Sequence, residues 1–189
     1  MVPPWSLPWI TEYWDGPQGI TVTGAGVSSW VGLKLGKEFT QGTDSARPTY
    51  ANGVLTFDGT AQVLGGNFGS ITQPFSLFIA FSNITWSNNE QLVSPYSSVI
   101  SNGGVFYQNG ITPQVRIYAG SSLGSESATL GTRFIGSAVF NGASSLVALG
   151  LSAGSAGDAG ANYLANGIIL GANNLSAGFA NVAILACGY

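Results

Sequence analysis

The sequence has no histidine and one cysteine, Cys187. Without imidazole there is no Ser-His or Cys-His nucleophile pair and no histidine-ligated metal. A lone cysteine excludes an intrachain disulfide, and the chain reads as one made in a reducing cytoplasm. Charge is also scarce. Asp, Glu, Lys and Arg make up 7% of the 189 residues, with a net charge of −3, against about 25% in an average soluble domain. The five basic residues, Lys34, Lys37, Arg47, Arg116 and Arg133, are scattered. Phosphate binding needs clustered cations, so nucleic acid is excluded as a partner. No apolar run is long enough to span a bilayer, which excludes membrane insertion. Residues 1 to 9 have no positive leader and are broken by Pro3, Pro4 and Pro8, so they do not form a secretory signal peptide. Nor does any stretch show the apolar period of a helix of normal length.

What is present is β-forming. Hydrophobic residues are 45%, aromatics 12%, and there are 28 glycines, enough apolar material for one core in one domain spanning 1–189. With so little charge, the surface must consist of Ser, Thr, Asn, Gln and Gly. Phe75 to Phe81 is the most hydrophobic stretch, with Phe75, Leu77, Ile79 and Phe81 on one face, and reads as a central strand that Pro74 can begin. Other strands are predicted at 19–24, 27–30, 98–101, 105–108, 114–119, 134–140, 145–151, 168–170 and 179–186. Asn-Gly pairs at 102, 109, 141 and 166 punctuate them, since both residue types tolerate positive φ. Residues 147–157 are rich in small side chains and read as a strand running into a loop. Val54–Phe57 and Ala61–Leu64 flank Asp58-Gly59, a pair suited to a tight turn, and together predict a hairpin, with a second turn at Asn52-Gly53. The pattern as a whole predicts an all-β antiparallel β-sandwich or jelly roll.

Residues 1–16 form an aromatic and proline-rich N-terminal segment. Trp5, Trp9 and Trp14 either lie over the sheet and close the core or dock on a partner. Catalysis would have to come from carboxylates. The eight acids, Glu12, Asp15, Glu38, Asp44, Asp58, Glu90, Glu126 and Asp158, stand singly, without the facing pair that a glycosidase needs, so no enzyme is expected. Asp58 precedes a glycine and is first a turn former. Glu12 and Asp15 could share a cation, but calcium takes six to eight oxygens and their neighbours are Trp and Tyr. Cys187 reads as a small apolar core or edge residue.

Several segments together resemble a known family. They are Tyr13-Trp14-Asp15, Val27-Ser28-Ser29-Trp30, Thr40-Gln41 to Arg47-Pro48-Thr49-Tyr50, Val54 to Leu64, Pro74 to Phe81, and Leu170-Gly171-Ala172 leading into 179–185. In order and spacing they resemble the concanavalin A-like lectin/glucanase jelly rolls of laminin-G type, in the variety found in bacteriophage and bacterial surface proteins. Two departures matter. Such relatives follow the equivalent of Trp30 with Asp and a Ser-Gly-Asn-Gly loop, where this chain has Val31 to Gly36, and many carry Glu at the place of Asn181. The calcium ligands that the family would supply are therefore missing, and no cofactor is implied.

The resemblance implies a non-enzymatic virion structural protein, made in the host cytoplasm and located in the virion. It would be a capsid decoration (cement) protein or a head or tail fibre subunit, bound to the major capsid protein or another virion protein through Trp5, Trp9 and Trp14. It also implies a homo-oligomer, with a trimer the expected form. The alternative is a lectin-like receptor-recognition module binding a glycan through Trp86, Phe106 and Tyr107, since sugar recognition wants aromatic platforms beside amides and hydroxyls.

Overall fold

A computed structural model describes residues 6–96, 103–110, 113–173 and 178–189. The predicted strand at 98–101, along with Trp5 and Asn102, lies outside the described residues. Among those described, seventeen strands follow one another. The first nine are β1 (Tyr13–Asp15), β2 (Ile20–Thr23), β3 (Gly26–Val31), β4 (Glu38–Thr40), β5 (Thr49–Ala51), β6 (Val54–Asp58), β7 (Leu64–Asn67), β8 (Phe75–Asn83) and β9 (Gln91–Pro95). The remainder are β10 (Val105–Asn109), β11 (Gln114–Tyr118), β12 (Ser122–Ser127), β13 (Phe134–Phe140), β14 (Ser145–Leu149), β15 (Ser155–Gly157), β16 (Gly167–Leu170) and β17 (Asn181–Gly188). Helix is limited to short 3-10 turns such as Asp44–Ala46 and Gly142–Ser144. No helix among the described residues is long and apolar enough to cross a membrane.

The strands form two antiparallel sheets that face each other as a sandwich. One runs β15-β14-β13-β8-β17-β6-β5, with β1 paired to the far end of β17; the other runs β12-β11-β10-β9-β16-β7-β4-β3-β2. The chain changes sheet repeatedly. After β6 it crosses to β7, returns as β8, crosses for β9 to β12, returns for β13 to β15, and alternates again through β16 and β17.

The alternation read at 75–81 holds. Phe75, Leu77, Ile79 and Phe81 are buried while Ser76 is exposed, and β8 lies between β13 and β17 at the middle of its sheet. Across the core, Phe81 meets Phe106 of the other sheet edge to face at 6.1 Å. Gly136 opposes Ile79 in this layer, and it must be glycine, because a Cβ there would stand 2.8 Å from Phe106 and 3.1 Å from Phe81. At the other end Trp14, Trp30 and Phe39 are fully buried, with Trp14 and Phe39 rings 4.5 Å apart. Full burial of each such ring contributes about 1.5–3 kcal/mol. Cys187 lies in the same core.

Two sequence readings change. The hairpin about Asp58-Gly59 does not form, because β6 pairs with β5 and β17 while β7 belongs to the opposite sheet. The hairpin instead turns at Asn52-Gly53, with Thr49 opposite Thr56 and Ala51 opposite Val54. Positive φ values of 51° and 78° at Asn52 and Gly53 match the twist of the flanking strands. Residues 147–157 do run from β14 into a loop at 150–154, but Ser155 to Gly157 then return as β15 against β14. The segment at 34–38 closes around an internal carboxylate.

Candidate binding surfaces

That carboxylate belongs to Glu12, which is fully buried. It accepts hydrogen bonds from the backbone N–H groups of Tyr13, Lys34, Leu35 and Lys37 at 2.9–3.2 Å. A site lined by N–H donors repels a cation, so the sharing of an ion between Glu12 and Asp15 is overturned; an Asp15 oxygen instead accepts from Gln18 Nε2. Gly32 gives the carboxylate its room, because a Cβ there would sit 2.5 Å from the Glu12 Cδ. The anion is thus a bolt that fixes the 33–37 loop to the N-terminal segment. Lys34 fastens the same segment from outside, its ammonium donating to the carbonyls of Leu7 and Ile10.

This fastening separates the tryptophans. Trp14 on β1 is in the core with its Nε1 donating to the Lys37 carbonyl, so it is not a partner anchor. Trp9, carried on the turn held by Lys34, is 73% exposed. It stands at an open cleft of about 520 Å³ whose walls include Trp9, Thr11, Lys37, Ser70, Thr72 and Tyr189. Main-chain bonds from Thr11 and Glu12 N–H to the Tyr189 carbonyl set that wall. The Lys37 ammonium lies 5.0 Å from the Phe68 ring centroid and donates to the Tyr189 hydroxyl. Among the described residues, Lys37 has no carboxylate within ion-pair distance; the pair that does form is Arg47 with Asp44 at 2.6 Å.

The residues predicted to hold a glycan are not assembled into a platform. Phe106 and Tyr107 lie on β10 and are buried, Phe106 facing the core and Tyr107 sharing a hydrogen bond with Ser122 at 2.7 Å. The strand predicted at 105–108 does form, as Val105 to Asn109, and lies between β9 and β11 within its sheet. Trp86 is half-buried, packs on the core and donates to the Gly110 carbonyl.

The outward face of the eight-stranded sheet is a different kind of surface. Register places Thr49, Thr56, Ala183, Ser76, Phe78 and Ala80 outward. Ile135, Ser137, Val139, Leu146 and Ala156 continue the face across β13 to β15. Along these strands the outward charged side chains are Asp15 and Asp58 alone, both toward one margin. Ile135 is 62% exposed, and Leu151, on the adjoining turn bonded to it through the Gly150 N–H, is fully exposed.

Among the described residues no three of Asp, Glu and Cys gather at one place. Burial works to raise the Asp58 carboxyl, but the N–H groups of Ala61, Thr60 and Gln62 and the Thr60 hydroxyl override it and hold the group at about 2. Burial raises Glu90, partly offset by Ser87 and the Asn181 backbone. No second carboxylate acts on either group. Burial also pushes the Cys187 thiol up.

No family model and no curated protein matches the sequence. Solved structures do. The Trypanosoma rangeli sialidase in complex with sialic acid superposes with a TM-score of 0.64 at 11% identity, over 100% of this chain and 32% of the sialidase chain. The same sialidase with 2,3-difluoro-KDN gives 0.67 at 10%, over 96% and 30%. The chain therefore spans about a third of the sialidase chains it matches. At these identities the likeness defines a class, the two-sheet antiparallel β-sandwich, and carries the fold alone.

Proposed function

We propose that this chain is a non-enzymatic virion structural protein of bacteriophage type, a concanavalin A-like jelly roll that works by packing against its own copies and other virion proteins. The observation that carries the reading is the outward face of the eight-stranded sheet. A solvated sheet face ordinarily alternates toward charged and polar residues, whereas this one presents Ala, Ser, Thr, Ile, Val and Leu with carboxylates only toward one margin. Such a face loses little by desolvation and suits burial against a neighbour. The resemblance to phage jelly rolls supplies the setting, with a capsid decoration or fibre role the specific form. The exposed Trp9 adds an aromatic anchor of the type enriched at interfaces.

The test is whether the gene product purifies with assembled particles at a fixed copy number, and whether Ser137→Glu, at the middle of the face, releases it. Burying an unpaired carboxylate costs several kcal/mol, so the variant should leave the particle while keeping its fold. A chain absent from particles, or equally bound in both forms, contradicts the proposal.

The lectin-like reading is favoured by one observation, the cleft beside Trp9. The two readings coincide in a receptor-binding fibre.

A further inference from the structure

We infer that the Trp9 cleft is a binding site for a carboxylated saccharide, an inference that rests on the lectin-like reading and not on packing through the sheet face. Three features of the cleft select that chemistry. The first is the indole of Trp9, 73% exposed at the cleft. Its turn is secured by Lys34 on the carbonyls of Leu7 and Ile10 and by the Thr11 N–H on Tyr189. A ring held this way loses little freedom when a sugar's C–H face stacks on it.

The second is a set of hydroxyl-bearing residues, Thr11, Ser70, Thr72, Ser76 and Tyr189, around the same opening. Hydroxyls both donate and accept, and so match the mixed donor and acceptor rim of a pyranose. The third is Lys37. Its ammonium spends one proton on the Tyr189 hydroxyl, faces the Phe68 ring, and has no carboxylate in ion-pair reach among the described residues. No Asp or Glu side chain lines the cleft, and the terminal oxygen of Tyr189 at its wall already accepts from the Thr11 and Glu12 N–H groups. The nearby Glu12 carboxylate is enclosed and already bonded to backbone N–H groups. This leaves the Lys37 ammonium without a direct ion pair among the described residues, with a proton to give one anionic group. A phosphate or sulfate cluster would call for several converging cations or N–H groups, whereas one ammonium among hydroxyls fits a single sugar carboxylate.

The experiment compares, by calorimetry on the full chain, oligogalacturonate with the neutral galactose oligomer of the same length, at low and high salt. The expected result is binding of the acidic oligomer at least about tenfold tighter, the gap closing with added salt. Lys37→Met, which keeps the stem on Phe68, should lose that preference and retain weak binding of both oligomers; Trp9→Ala should lose both. The acid–neutral comparison in the unaltered chain needs no variant, and melting curves check that each variant is folded. Equal affinity for the two oligomers, an unchanged preference in Lys37→Met, or no binding of either overturns the proposal. So does binding of a peptide C-terminal carboxylate in preference to the saccharide. None of these results bears on whether the chain packs through its sheet face.

Discussion

Glu12 and Asp58 are both acids beside glycine-rich turns, and the fold uses them in opposite ways. Glu12 is sealed inside and accepts several backbone donors. Removing it leaves those N–H groups buried without partners, so Glu12→Ala should cost about 3 kcal/mol or more, read by chemical denaturation, while Glu12→Gln loses less because an acceptor oxygen remains. Asp58 is exposed and folds back on Thr60, Ala61 and Gln62, a local bond set worth about 1 kcal/mol in water. Its carboxyl is held at about 2 in the folded chain, below the ordinary value near 4. A depressed folded value means that the stabilisation is present above about pH 4 and is lost as the pH falls from about 4 to about 2. A stability profile over that window should flatten in Asp58→Asn; an unchanged slope contradicts the assignment. Asp58 as a turn former was legible from the following glycine. Glu12 was not, because all its partners but Tyr13 lie 22 to 25 residues away in sequence and are main-chain groups that no side-chain pattern reveals.

Among the elements, strands with strict alternation were readable, and β8 most of all, because large apolar residues at every second position leave one face to bury. The error at Asp58-Gly59 is instructive. Both Asn52-Gly53 and Asp58-Gly59 carry turn chemistry, and local sequence cannot tell a turn that joins neighbours in one sheet from a corner that sends the chain to the other. The pairing of β6 with β17 decided it, a contact across most of the chain. Gly53→Ala should therefore cost about 1–2 kcal/mol through its φ of 78°, and the loss should appear as faster hydrogen exchange confined to β5 and β6. Gly136→Ala places a methyl against two core rings and should cost about 1–3 kcal/mol by overpacking, with exchange accelerated in β8 and β10. β9 and β12 were missed because polar Gln91, Ser94, Ser122 and Ser125 break the apolar alternation on those strands.

At the level of the molecule, low charge was visible from composition, but its distribution over a surface was not. Topology gathers uncharged outward positions from seven strands onto one face, and leaves Lys37 at a cleft walled by residues 70–76 together with the two ends of the described chain. Of the lectin-like aromatics chosen from sequence, Phe106 and Tyr107 are buried and Trp86 is half-buried, which strand prediction alone does not reveal until the packing of the two sheets is known. The central claim is that the outward face of the eight-stranded sheet is an interface. Sedimentation velocity of the full chain over a wide concentration range, alone and with the particles it purifies with, tests this most directly. The account predicts species heavier than the 19.4 kDa chain in at least one condition, and reversion to monomer in both for Ser137→Glu with an unchanged β-type circular dichroism spectrum. Wild type and variant sedimenting alike as monomers in both conditions would contradict it.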